Sequence, residues 1–327
     1  MDCYKFNVEI NIFYGEKRKC VFKKNDLYRR CYLIKVLSLF DGMSCGQIAL
    51  ERIGIKVDTY YASEINEHSI KITQKNYPNT IQLGDVRNLT KEKLMSLGDI
   101  DLLIGGSPCQ NLSILTIDRP EHNKGLEGKK SSLFFEYVRV KNILKPKYFL
   151  YENVESMKDK DKNIISKILG VEPIMIDSAL VSAQDRKRYY WTNIPNVKLP
   201  KDKGIVLKDI IEHSVDEKYY YNQSYDFYGL DKKIVARLHL NTHDLLKRVY
   251  NINGKCATLT ACRGGYKQKK IFIPWENRIR RLTPLEYERL QTVPDGYTEG
   301  VAESHRYNML GDGWTVDVIA HIFSYIK

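Results

Sequence analysis

No apolar run in this chain approaches the roughly twenty residues that a membrane-spanning helix needs. The first residues, Met1-Asp2-Cys3-Tyr4-Lys5, have neither the basic start nor the apolar stretch of a secretory leader, so the expected location is the cytoplasm of a bacterium or phage host, or the nucleus of a eukaryote. None of the seven cysteines forms a Cys-x-x-Cys pair, and an odd count argues against a disulfide framework. No metal site is therefore expected, and a reducing compartment is the simpler assumption. The G-x-G-x-x-G fingerprint of nicotinamide-binding proteins is missing, as are internal repeats and low-complexity tracts. Negative charge is scarce as well. Asp and Glu number 40 against 52 Lys and Arg, a formal net charge of +12. That balance points to an anionic partner, with nucleic acid ahead of a membrane surface.

The excess charge is concentrated. Residues 194–280 hold 17 Lys and Arg against 9 Asp and Glu, and they are rich in Tyr, Asn and Gly with poor periodicity. They read as a small domain inserted between better-patterned halves, 35–193 and 281–327. Residues 1–34 alternate apolar and polar side chains about a Gly15-Glu16 turn and read as a β-hairpin extension. Between these, short apolar runs alternate with helical patterns. Strands are expected near 36–40, 58–62, 81–83, 100–104, 148–151, 173–180 and 188–192. Helices are expected near 48–53, 66–77, 131–144, 159–169, 284–291 and 314–326. The fold class is α/β, with a doubly wound, mostly parallel sheet.

Two places carry candidate chemistry. The strand near 36–40 runs into Asp41-Gly42-Met43-Ser44-Cys45-Gly46, and an acidic residue, Glu64, follows Gly42 by 22 positions at the end of the next strand. Glycines let the backbone approach a ligand, and a carboxylate there takes ribose hydroxyls. The glycine spacing departs from a dinucleotide site and suits an adenosine ligand without a pyrophosphate. Asp85, ending the third strand, would accept from an adenine amino group. The second place is Gly105-Gly106-Ser107-Pro108-Cys109-Gln110-Asn111-Leu112-Ser113, past the carboxyl end of an apolar strand. A thiol on such a loop serves as a nucleophile if its thiolate is stabilised. A free cysteine is otherwise commonly a buried structural residue.

Taken in order, Phe40-Asp41-Gly42, Ser107-Pro108-Cys109-Gln110, Glu152-Asn153-Val154, Gln184-Asp185-Arg186-Lys187-Arg188, Arg281-Leu282-Thr283-Pro284-x-Glu286 with Arg289-Leu290-Gln291, and Gly311-Asp312-Gly313-Trp314 resemble the motifs of the DNA (cytosine-5) methyltransferases. The stretches 36–49, 105–113 and 181–191 are most similar to the de novo animal branch and to small phage or bacterial relatives. The resemblance implies a class I fold dependent on S-adenosyl-L-methionine, with S-adenosyl-L-homocysteine as product. It implies double-stranded DNA as partner, no membrane, and the setting of restriction and modification; a monomer is favoured, with the oligomeric state open. Phe40, Asp41, Gly42, Cys45, Glu64, Ile65, Asp85, Val86, Pro108, Asp312 and Trp314 would line the cofactor site. Asp312 departs from the asparagine usual at that position, a change expected to alter cofactor binding.

By the same resemblance Cys109 adds to C6 of a cytosine flipped out of the duplex. C5 then takes the methyl group, with Glu152 at N3 and Arg186, flanked by Arg188, at O2. Residues 111–130 would close behind the base, and 194–280 would recognise the target. Gln110, Ser113, Gln184, Thr258, Thr260, Arg263 and Lys267 are the expected DNA contacts, with Arg263 reading a guanine. Two alternatives remain: an RNA (tRNA) cytosine-5 methyltransferase, and a catalytically silent DNA-binding relative. The silent relative should have lost Cys109, Glu152 or the cofactor loop, and all are present.

Overall fold

The computed structural model describes residues 33–108, 112, 125–128, 132–262 and 265–327. The expected hairpin over 1–34 lies outside them except for its last two residues. In chain order the elements are β1 (Ile34–Leu39), α1 (Cys45–Arg52), β2 (Val57–Ser63), α2 (Glu67–Asn76), β3 (Ile81–Gln82), α3 (Lys91–Met95), β4 (Leu102–Gly105), α4 (Leu133–Leu144), β5 (Tyr148–Val154), α5 (Asp159–Leu169), β6 (Ile174–Asp177), β7 (Gln184–Asp185) and β8 (Lys187–Thr192). There follow β9 (Tyr225–Phe227), β10 (Ile234–Leu238), α6 (Asp244–Lys247), β11 (Arg248–Tyr250), β12 (Cys256–Ala257), β13 (Lys270–Ile273), β14 (Arg278–Arg281), α7 (Pro284–Leu290), α8 (Glu303–Asp312) and α9 (Val316–Phe323).

A strand covered on both faces reads as a continuous apolar run, which is how β1 and β4 look in sequence. Alternation survives as a division between two cores. Val36, Leu102 and Ile104 point into one, with Ile48 and Leu50 of α1 and Val316 and Ile319 of α9. Leu37, Leu39 and Leu103 point into the other, with Phe134 and Tyr137 of α4 and Ile165 of α5. The sheet between these helix layers has the order β3-β2-β1-β4-β5-β8-β6. β3, β2, β1, β4 and β5 are parallel, whereas β8 runs antiparallel to both β5 and β6. The switch point falls between β1 and β4, and ligands of such sheets bind beyond the carboxyl ends of the strands there.

A second sheet, β14-β13-β11-β10-β9, spans residues 225–281 and closes over its own small core of Val235, Leu238, Val249, Phe272 and Ile279. β7 and β12 form a separate parallel pair that joins Gln184-Asp185 to Cys256-Ala257.

The expected strand over 173–180 stops at Asp177. Its carboxylate accepts the N–H groups of Ala179 (3.0 Å) and Arg186 (2.8 Å), and turns the chain into a 3₁₀ turn at Ser178–Leu180. α3 and α8 were not anticipated. The last helix is shorter than the expected 314–326 and begins at Val316.

Candidate active site

The turn leaving β1 alternates in hand. Phe40 (φ 58°), Gly42 (φ 59°) and Ser44 (φ 63°) all lie in the left-handed region. For Phe and Ser this is strained backbone, of order 1–3 kcal/mol each, of the kind that collects at functional sites. Neighbouring side chains hold the turn. Asp41 is buried, accepting from the Tyr60 hydroxyl (2.8 Å) and from the Ser44 hydroxyl. Burial raises its carboxyl pKa to about 6, against the lowering effect of hydrogen bonds from Ser38, Ser44 and Tyr60. From the end of β2 the Glu64 carboxylate reaches back to the N–H of Gly42 (2.7 Å), and its other oxygen accepts from Ile65 and Asn66 (both 2.8 Å).

Beyond β4 the chain passes through Gly106-Ser107-Pro108, which β5 anchors. The Ser107 hydroxyl bonds the Tyr151 hydroxyl (2.6 Å), and the Asn153 amide donates to the Ser107 carbonyl (3.2 Å). These bonds fix the backbone directly before Cys109, which itself lies outside the described residues. A Cβ at Gly106 would stand 2.7 Å from a carboxylate oxygen of Glu152 and 3.3 Å from the indole nitrogen of Trp314, so only glycine lets the three approach.

Glu152 lies on β5 opposite Tyr190, and Val154 lies opposite Arg188. Glu152 and Arg188 are thus diagonal neighbours on one face of an antiparallel pair, within reach for long side chains. Arg188 Nε sits 2.9 Å from Glu152 Oε1, and Trp314 Nε1 donates to Oε2 at 3.0 Å. Both partners of the ion pair are close to nine-tenths covered, with side-chain exposures of 13% and 11%.

Arg186 is placed differently from the expectation. It is buried, and its guanidinium donates to the backbone carbonyls of Leu259 (2.9 Å), Gly311 (3.3 Å) and Gly313 (2.9 Å). The guanidinium that meets Glu152 belongs to Arg188. Gln184 also departs from its expected role as a DNA contact. Its fully buried amide donates to the Leu290 carbonyl (2.7 Å) and Gln291 Oε1 (2.8 Å) and accepts from Leu259 N–H (3.3 Å), which leaves it no path to a groove. The chain breaks register between β7 and β8, so these residues do not share the exposed face that alternation alone suggests. Thr258 donates its hydroxyl to the Asp185 carbonyl (2.6 Å), whereas Thr260 and Lys267 are exposed. Gln110, Ser113 and Arg263 lie outside the described residues.

Of the expected cofactor residues, Phe40 packs half-buried against the α4 side of the sheet. The Cys45 thiol is buried against the Trp314 carbonyl (3.7 Å), and burial pushes it up to about 12. It therefore supports Trp314 from behind. Asp85 caps the turn at Val86–Asn88, and the adjoining Arg87 guanidinium holds its carboxyl below the usual range. Val86 is buried, Pro108 is half-buried, and Asp312 is exposed at the end of α8. Residues whose roles the sequence did not disclose include Tyr60, Tyr151 and Gln291. The Gln291 amide donates to the Leu310 (2.6 Å) and Gly313 (3.0 Å) carbonyls. Its motif was legible, but its task was not.

These residues fit an adenosine ligand. Among the described residues, no atom beyond Gly42 and its two chain neighbours lies within 4 Å of where a Cβ would stand at Gly42, so open space adjoins the backbone at the mouth of β1. Ile65, 67% exposed, offers an apolar face beside it. The Glu64 oxygen that accepts from Gly42 has a lone pair to spare, whereas the other already accepts from both Ile65 and Asn66.

Residues 34–327 match the family described as C-5 cytosine-specific DNA methylase. The chain belongs to that family, whose fold is that of the S-adenosylmethionine-dependent methyltransferases. Among curated relatives, the orphan methyltransferase M.SPRI of Bacillus phage SPR is 28% identical over 291 residues, 71% of this chain and 64% of the relative. The chain thus spans less than two thirds of that protein. The type II methyltransferase M.Bsp6I of Bacillus sp. (strain RFL6) is 27% identical over 318 residues, covering 89% of this chain and 97% of the relative. Among solved structures, the Entamoeba histolytica methyltransferase EhMeth aligns with a TM-score of 0.68 at 19% identity, over 90% of this chain and 98% of that one. No helix among the described residues is long and apolar enough to cross a membrane.

Proposed function

We propose that this protein transfers a methyl group to C5 of a cytosine flipped out of duplex DNA, through a covalent bond between Cys109 and C6. The observation that carries the reading is the meeting of Glu152, Arg188 and Trp314 beside Gly106-Ser107-Pro108, immediately before Cys109. Bound S-adenosyl-L-methionine would supply an electrophilic methyl group on a sulfonium. Asp41, Gly42, Glu64, Ile65 and Asp85 would hold its adenosine half.

The chain's own groups do the rest. The Cys109 thiolate adds to C6 and breaks the C5–C6 double bond, and the electron pair becomes available at C5. Charge that builds at O2 would meet the Arg188 guanidinium, an electrostatic assistance often worth several kcal/mol, and Glu152 would face N3. Once C5 is methylated, a base takes its proton, the double bond re-forms and the thiolate leaves. The small sheet over 225–281, within the most basic part of the chain, would take up the duplex. Within that segment Arg263 and Thr260 would read bases and Lys267 would touch phosphate. Thr258, bound to Asp185, would shape the loop.

The test is transfer of labelled methyl groups from S-adenosyl-L-methionine to unmethylated duplex DNA, to RNA, or to neither, by the wild type and by Cys109→Ser. Label on DNA with the wild type alone supports the reading. Label on RNA alone moves the substrate to RNA, and no label anywhere refutes the activity. Transfer that survives Cys109→Ser refutes the covalent step.

A further inference from the structure

Glu152 is held by two donors from distant parts of the chain. Arg188 takes one carboxylate oxygen (2.9 Å), and the Trp314 indole N–H takes the other (3.0 Å) from 162 residues away. The terminal torsion of a glutamate is broad and nearly two-fold, so one partner does not fix the carboxyl plane. Two partners on opposite oxygens do. That plane decides which edge of the carboxyl group faces an incoming pyrimidine.

Trp314 is itself fixed by backbone contacts. The Cys45 thiol donates to its carbonyl (3.7 Å), while Arg186 (2.9 Å) and Gln291 (3.0 Å) both donate to the carbonyl of Gly313. After it, the Thr315 hydroxyl donates to Gln291 Oε1 (2.9 Å). Cys45, Arg186 and Gln291 thus reach this turn from three separate segments, and the absence of a side chain at Gly106 opens the path from indole to carboxylate.

We propose that Trp314 is a positioning residue: its N–H sets the orientation in which Glu152 meets N3 of the cytosine. The inference rests on the function proposed above. It adds a task to a residue whose only expected role was lining the cofactor site.

Two variants test it. Trp314→Phe keeps an aromatic ring and removes the N–H. Replacement of Trp314 by 3-benzothienylalanine keeps the shape of the indole and exchanges only N–H for sulfur. A hydrogen bond to a charged group contributes about 1.5–3 kcal/mol, so kcat should fall by about 10- to 100-fold in both. The Kd for S-adenosyl-L-methionine and the KM for DNA should stay within about threefold, because the lost N–H acts on the carboxylate and not on either ligand. A role confined to packing would leave the benzothienyl variant at wild-type rate, and a role confined to cofactor contact would raise Kd with kcat unchanged. Either result in an active enzyme overturns this inference alone. A wild type inactive on every cytosine substrate overturns the proposed function and this inference with it.

Discussion

Arg186→Lys and Arg188→Lys should fail in different ways. Both keep the charge and remove the planar fork of donors. At 186 the fork spans three carbonyls, those of Leu259, Gly311 and Gly313, in a site only 4% exposed. A lysine ammonium reaches one of them. Two charge-assisted bonds are lost at about 1.5–3 kcal/mol each, a loss of about 3–6 kcal/mol. Against a typical total stability of about 5–15 kcal/mol, that is a large fraction. The urea midpoint, followed by far-ultraviolet circular dichroism, should drop by about 1 M or more. Activity per folded molecule at low temperature should fall less than it does at 188, because the side chain at 186 touches no reacting group. At 188 a lysine can keep an ion pair with Glu152, so the midpoint should scarcely move. The rate should fall by about 10²-fold, the usual loss when one donor to a developing oxyanion is removed. An Arg186→Lys protein as stable as wild type, or a rate loss at 186 with none at 188, would refute the division of labour between these arginines.

Asp41 gives a pH test. Burial raises its carboxyl pKa to about 6 in the folded protein, against an ordinary value of 3.8. Between those values the folded state holds a proton that the unfolded chain has released, so this group makes stability fall as pH rises through the window, by about 3 kcal/mol in all. An asparagine accepts from Tyr60 and donates to Ser44, so Asp41→Asn should be less stable relative to wild type at pH 4 than at pH 7.5, as read by thermal midpoints at the two pH values. A constant difference across that range would contradict the buried-carboxyl account. Burial pushes the Cys45 and Cys256 thiols up to about 12 and raises that of Cys262. Iodoacetamide at pH 8 should therefore leave all three unmodified in the folded protein and label them in urea, by peptide mass spectrometry. Labelling of any of the three at native rates comparable to those in urea would show that it is not buried as described.

Much of the first half of the fold is legible because its strands are buried on both faces and its helices end at marked residues. α5, Asp159–Leu169, matches its expected range end to end, since its apolar residues recur at helical spacing and Gly170 stops it. What escaped was set by contacts distant in sequence. α8 carries SHRYNML with weak amphipathic contrast, and its closing Gly311-Asp312 reads as loop chemistry. β8 reads KRYYWT, and nothing local says that it pairs antiparallel with β5.

The site was legible as a set of residues and less so as a set of tasks. Gln184, Arg186 and Arg188 alternate as one strand face would, but the pairing of β7 with β12 and of β8 with β5 breaks that face at Arg186. Two of the three become interior ties, and the third meets the carboxylate. The link between Trp314 and Glu152 spans 162 residues, and neither motif hints at the other.

The central claim is that the sulfur of Cys109 adds to the pyrimidine ring. The most direct measurement uses duplex DNA containing 5-fluorocytosine at a site the enzyme methylates, together with S-adenosyl-L-methionine. Fluorine at C5 cannot leave as the proton does, so the thioether should persist through denaturing electrophoresis. Peptide mass spectrometry should then find the nucleotide on Cys109. Methylation of ordinary DNA without any such trapped complex, or a complex joined through another residue, would contradict the account.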